Sequence, residues 1–499
     1  MTSHQPGSQP DPTSPTSSAF RAIDRRKFLG LAGVGVGALA LAACGGPSTS
    51  NPAPTTTPAA GTSPATGAGP AAGGTGPTGG ATTSAAGAGG FDGVTPAATI
   101  TYWTSHPGAS QDVEQQIIDA FNASGAGIKV TMVTAGASYE DIAQKFQAAQ
   151  AAGASQLPDV VVFSDVWWFR YYMQKSITAL DDLNKAVGID PSTYVAALFN
   201  DYQYQGQQWA VPFARSTPLF YYNKDHWTKA GLPDRAPQTW QEFHDWAPKL
   251  QSAGTGVQHA FQLPALAGYA GWSLQNNLWG WGGGWSQKDS FTISTDAQET
   301  IDALQFLQDM VYQDKIAGVA ATNAINDMAA GAVSATVSST GDLVGVQKAA
   351  QGKFEVGVGF LPGGPKASDL VCPTGGAGLG IPAAIGKERQ LAAAKFIAFM
   401  TNPANTVSFA KATGYMPVRT DADTAGLIAA NPLAGTAINQ LPHTRSQDWA
   451  RVFLPGADQE MAKSCATILT SQGNVKDAMV ALRSTLQNIY DTQVKPNIS

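Results

Sequence analysis

The chain has 499 residues, enough for two or three folding units. Its 30 Lys+Arg against 36 Asp+Glu leave a formal charge of −6, without the basic excess a general nucleic-acid binder carries. A single small anion held by a few placed groups stays compatible with that balance.

In chain order, the first signal is an export address. Asp24-Arg25-Arg26-Lys27 is a charged run with a twin arginine, followed by the apolar "FLGLAGVGVGALALAA" at 28–43. That run is shorter than the ~20 residues a membrane span needs, so it reads as a signal h-region. It ends in Leu41-Ala42-Ala43-Cys44, which resembles the lipobox of bacterial lipoproteins. The resemblance implies cleavage after residue 43, lipid on Cys44 and a protein held at the outer face of the cytoplasmic membrane.

From Gly45 to Gly90 no residue is charged or aromatic. Such a segment cannot bury enough apolar surface to offset its ordering entropy, so 45–96 is expected to be a tether. As a flexible coil its ends average roughly 35–40 Å apart. The folded body is expected over 97–499. Strands are predicted at 98–104, 128–134 and 158–164, with helices at 111–124 and 139–152 between them. This alternation implies an α/β fold with a parallel sheet, whose ligand lies beyond the carboxyl ends of strands: Thr104–His106, Gly136–Tyr139 and Ser164–Asp165. A later helix at 388–401 stops at Asn402-Pro403, and another ends at Gly414. Cys372 and Cys465 sit in apolar contexts and are expected as buried free thiols.

Catalytic chemistry is hard to find. There is no HExxH, no GxSxG elbow and no GxxxxGK[ST] loop, and the six histidines have no metal spacing. "GAGLG" at 376–380 lacks the dinucleotide spacing, and Asp181-Asp182 reads as a solvated pair. No cofactor, no metal and no enzymatic activity are expected. What remains is a set of polar and aromatic residues in glycine-rich settings, including "YAGWSLQNNLWGWGGGW" at 269–285.

Seven segments occur in a familiar order: "YWTSHPG" (102–108), "SDVWWF" (164–169), "PFARSTPLFYYNK" (212–224), "VSSTGDL" (337–343), "CPTGGAGLGIP" (372–382), "TGYMPVR" (413–419) and "LPHTRSQDWARVFLPG" (441–456). Together they resemble the solute-binding lipoproteins of ABC importers, and within them the mycobacterial-type glycerol-3-phosphate and glycerophosphodiester binders. The resemblance covers roughly 97–490. It implies two discontinuous α/β lobes with a ligand cleft between them, of the type II periplasmic-binding kind. Lobe 1 is expected over about 97–213 and 341–385, lobe 2 over about 214–340 and 386–499. The implied partners are a small-molecule ligand and ABC permease subunits; the protein itself is expected as a monomer.

Carried over position by position, the resemblance implies ligand contacts at Tyr139, Asp165, Ser216, Trp272, Ser339, Gly376, Tyr415 and Arg451. The residue types suit a phosphate ester of glycerol. Phosphate calls for a guanidinium and for hydroxyl or backbone N–H donors, and polyol hydroxyls call for a carboxylate such as Asp165 or its neighbour Glu140. Each position also has a plainer reading. Arg451 suits a surface ion pair, Tyr139 a half-buried helix position, Asp165 a helix cap, Gly376 a turn, and Trp167 and Trp168 the core. Arg215 suits either added positive potential or an acid partner. Tyr269 stands at a position that is aliphatic in members favouring glycerophosphocholine and aromatic in those taking glycerol 3-phosphate. With Trp272 it is expected to wall the cleft, while Trp279, Trp281 and Trp285 support the second lobe. A disaccharide ligand is the nearest alternative. A secreted glycosidase, which needs two facing carboxylates, is a remoter one.

Overall fold

The computed structural model describes residues 90–106, 109–267 and 269–498. The expected export signal, Cys44 and the expected tether up to residue 89 lie outside the described residues. Packing onto the folded body is already present before the expected residue 97. Phe91 packs on the core beneath the Lys387 ammonium, and Ala97 N–H donates to the Glu388 carbonyl at 2.9 Å.

The strand–helix alternation folds as its pattern predicts. Strands Thr99–Thr104 (β1), Lys129–Thr134 (β2) and Val160–Ser164 (β3) pair in parallel, with β1 central among them. All five residues of β3 are buried, as a strand covered on both faces requires. Val211–Ser216 (β4) completes the sheet. Pro218–Asn223 (β5), His259–Leu263 (β6), Ala317–Val319 (β7), Val333–Ser339 (β8) and Val356–Gly359 (β9) form a second sheet, and Gly375–Gly380 (β10) returns to the first. The orders are β2-β1-β3-β10-β4 and β9-β5-β8-β6-β7. Because β10 runs antiparallel to both neighbours, its amino end meets the carboxyl ends of β3 and β4.

The lobes are discontinuous, but their bounds differ from those expected. Strand β9 pairs with β5, so the chain stays in the second lobe well past residue 341. Helix Leu343–Ala350 links β8 to β9 too briefly to change sheets. Conversely, helices Lys387–Met400 and Pro403–Thr413, expected in lobe 2, pack on the first. The former lies on β1 and on helix Asp181–Val187, the latter on helix Ala109–Ala123. Only six residues separate β10 from helix Lys387–Met400, so the chain folds back onto the sheet it has just completed. Gly414 ends helix Pro403–Thr413 in the left-handed conformation, φ +99°, as its position predicted. Beyond it, residues 424–440 cover the second sheet, where Leu427, Ala434 and Ala437 share a core with Leu219, Tyr221 and Val333. Cys372 and Cys465 are buried free thiols.

Candidate functional site

The two sheets are joined most directly by Thr217, which separates β4 from β5. Its backbone carbonyl accepts from Thr340 N–H at 2.9 Å, drawing the carboxyl end of β8, with Ser339, beside Ser216 at the carboxyl end of β4. On the other side of Ser216 lies Gly375 of β10. Asp165, just past β3, donates its N–H to the Gly376 carbonyl at 3.0 Å. Four strand ends thus meet at one place, which brings together Asp165, Ser216, Ser339 and Gly376, four of the positions implied by the resemblance. Gly376 has φ +101°, and a Cβ there collides with the Ala214 carbonyl, so close strand approach and the backbone angle both require glycine. The Ser339 hydroxyl is used locally, accepting from Gly341 N–H at 3.0 Å.

Above these donors stand two phenols. Ser138 caps helix Tyr139–Ala152 by accepting from Asp141 N–H at 3.2 Å, which sets Tyr139 at the first helical position, at the carboxyl end of the sheet. Tyr415 follows the Gly414 cap, stacks on Phe409 at 5.5 Å and faces Tyr139. Burial pushes both phenols above their ordinary pKa, so both stay protonated donors. Behind Tyr139 lies His106. Its Nε2 is 3.2 Å from the Tyr139 hydroxyl, and its Nδ1 is 2.7 Å from Glu114 Oε1.

On the far wall, Arg451 is buried rather than at the surface. Its Nε donates to Asp458 Oδ1 at 2.8 Å and its Nη1 to the Gln447 side-chain carbonyl, while Nη1 lies 3.8 Å from Asp165 Oδ1. The guanidinium therefore faces two carboxylates, a different setting from the phosphate cation it was expected to be. Burial pushes the Asp458 carboxyl up, and Arg451 opposes that rise. Gln447 Nε2 donates to Asp165 Oδ2 at 2.5 Å and ties the two lobes together; Gln459 Nε2 reaches Glu140 at 3.3 Å and adds a second tie. Trp272 lies over Gly375, its Nε1 donating to the Thr374 carbonyl at 3.0 Å.

Tyr269 stands apart as a rim residue. It is 57 % exposed, yet burial at its hydroxyl end and the nearby Asp342 raise its phenol above the ordinary pKa. Asp165 caps no helix: Trp167 holds the cap position of helix Trp168–Met173, with no side-chain cap bond. Trp168 is core and Trp167 half-buried. Arg215 is fully buried, bonded to Tyr202 at 2.8 Å and paired with Asp201, so it serves the scaffold. Trp279 donates to Asp448, Trp285 to the Gly271 carbonyl, and Trp281 packs on Phe306, all in supporting roles. Sequence reasoning missed His106 and Glu114 as a pair, Gln447 and Asp458. The histidine lay at a strand end that had been marked, whereas Gln447 is 282 positions from Asp165 and carries no local signal.

The arrangement offers neutral donors at one end and a carboxylate–guanidinium cluster at the other, with tryptophan and tyrosine faces between and at the rim. It suits a small, polar, partly anionic molecule. The family model for bacterial extracellular solute-binding proteins matches residues 116–436. The Mycobacterium tuberculosis UgpB structure in complex with glycerophosphocholine is 42% identical over 79% of this chain and 99% of its own, with a TM-score of 0.74. The sn-glycerol-3-phosphate-binding periplasmic protein UgpB of Escherichia coli (strain K12) is 28% identical, covering 69% of this chain and 80% of its own. The GacH receptor of Streptomyces glaucescens, solved unliganded and in complex with acarbose, shares the fold at 19% identity and a TM-score of 0.69, over 79% of this chain and 98% of its own. The chain belongs to the bacterial extracellular solute-binding protein family.

Proposed function

We propose that this protein captures a glycerophosphodiester such as glycerophosphocholine, or sn-glycerol 3-phosphate, and delivers it to an ABC permease. The observation that carries this reading is the convergence of Ser216, Ser339, Gly376, Tyr139 and Tyr415 where four strand ends and two helix-flanking loops meet. Hydroxyl and backbone N–H donors of this kind suit phosphate oxygens without requiring a bare cation. The glycerol hydroxyls fall to Asp165, as acceptor, and to Arg451 beside it. Trp272 covers the carbon chain. No bond is made or broken; ligand bridges the lobes and favours the closed state that the permease reads. Lipid attachment at Cys44, and retention at the membrane through the tether, belong to the same proposal.

A thermal-shift panel tests it. A ligand at about 100 times its Kd adds about 2.7 kcal/mol. Glycerophosphocholine or glycerol 3-phosphate should raise the melting temperature, and maltose should not. A shift with the disaccharide and none with either phosphoester refutes the assignment in favour of a sugar.

A further inference from the structure

The cleft's phenol pair is backed by a wholly enclosed polar chain. Glu114 is fully buried, and His106 is its one ion-pair partner among the described residues. As a carboxylate Glu114 only accepts, taking the Tyr102 hydroxyl at 3.1 Å on Oε2 and the imidazole at 2.7 Å on Oε1. The Nδ1 contact therefore has the imidazole donating to Glu114. Only Nε2, 3.2 Å from the Tyr139 hydroxyl, is free to change. Phe213 and Phe409 flank the ring at 6.2 Å each, and Tyr415 stands at 5.9 Å. The titratable groups facing His106 are thus Glu114, Tyr102, Tyr139 and Tyr415, with Tyr269 and Asp342 next beyond Tyr415.

The two protonation states of Nε2 point the phenols in opposite directions. As a neutral acceptor, Nε2 takes the Tyr139 O–H, and the Tyr139 oxygen then attracts the Tyr415 O–H. Both donors turn inward, away from the ligand. As a protonated donor, Nε2–H is bound by the Tyr139 oxygen, and both phenol protons are released toward the cleft. An anion there favours the second state, because its oxygens need donors and because the added positive charge lies close by.

We infer that His106 is a positioning residue that sets the donor direction of Tyr139 and Tyr415, and that it takes up a proton from solvent when the cleft binds an anion. The inference rests on the phosphoester reading. An uncharged sugar, which accepts and donates equally well, exerts no such pull. Since bound protein holds the proton more tightly than free protein, affinity rises as pH falls. A charge-assisted contact exceeds a neutral one by enough to give about a tenfold change between pH 8 and 6.

Isothermal titration with glycerophosphocholine in buffers of different ionisation enthalpy reads the proton directly. The phosphodiester is chosen because, unlike a phosphate monoester with a second pKa near 6, it does not itself titrate in this range. The full exported chain is expected to take up a fraction of a proton per ligand between pH 6 and 8. His106→Gln should bind with no uptake and a flat pH profile. Tyr139→Phe leaves the His106–Glu114 pair in place and should lose the uptake as well, which keeps the test decisive where His106→Gln folds poorly. Diester binding by the wild type with no proton uptake, or uptake that persists in both variants, overturns the inference and leaves the ligand reading standing. Failure of the wild type to bind either phosphoester overturns both.

Discussion

Removing Arg451 should unfold the second wall of the cleft as much as it empties it. The guanidinium is buried between Asp458, Gln447 and Asp165, so Arg451→Ala leaves the Asp458 carboxylate enclosed without its cation. Breaking a buried pair by deleting one partner costs about 3–5 kcal/mol. With an unfolding entropy of about 2.1 cal/mol/K per residue over roughly 400 ordered residues, the apo protein should melt ~4–6 °C lower at pH 8. The deficit has a pH sign. Burial already raises the Asp458 carboxyl, and losing Arg451 raises it further. A carboxyl with its folded pKa above its unfolded value gains stability as pH falls through the folded value, so the deficit should shrink toward pH 5. The assay is thermal melting of wild type, Arg451→Ala, Asp458→Asn and the double variant at pH 5 and 8, before any ligand is added. The double variant should melt above the sum of its single losses, because neither charge is then left alone. If Arg451→Ala melts within a degree of wild type at pH 8, or if the losses simply add, the pair is not structural. Any loss of ligand binding would then report a direct contact alone.

Two further substitutions probe other parts of the cleft. Gly376→Ala should cost about 2–4 kcal/mol and at least tenfold in ligand affinity, since φ +101° and the Ala214 carbonyl both oppose a side chain. Gly345→Ala, on the exposed face of helix Leu343–Ala350 with open space around it, should stabilise by ~0.5–1 kcal/mol and serves as the control. Equal melting temperatures for the two variants would defeat this argument. Tyr269→Leu puts an aliphatic side chain at the rim and should shift preference toward glycerophosphocholine over glycerol 3-phosphate by about two- to fivefold, because the smaller side chain leaves room for the larger head group. A loss of diester affinity, measured by the same titration, would show instead that the tyrosine packs on the ammonium.

Much of this protein is local and therefore legible in its sequence. Periodicity over 98–164 was enough for the parallel core of the first sheet, because apolar spacing of two and of 3.6 reports burial directly. The Ser138 cap and the Gly414 stop mark helix ends by short-range hydrogen bonding and backbone angle, and both features are visible in single residues. Strand periodicity also marked Asp165 at a strand end, whereas Ser216, Ser339 and Gly376 came only from the family resemblance; the fold brings the four strand ends that carry them together. The lobe bounds were not legible. Val356–Gly359 belongs to the second sheet and Lys387–Met400 to the first because of which edges remained open for pairing and packing, a property of the assembled sheets.

The site's electrostatics were likewise decided only by the tertiary structure. Arginine 451 in the sequence is a positive charge suited to phosphate; in the fold two carboxylates flank it, one of them 286 positions upstream. Tyr139 in the sequence is a helix-start tyrosine; in the fold its donor direction depends on a histidine from the end of β1 and a glutamate from the following helix. Side-chain types are written residue by residue, and so is the type of ligand they suit. The charge each one finally presents depends on neighbours that only chain folding brings within a few ångströms, where a low dielectric makes every partner count.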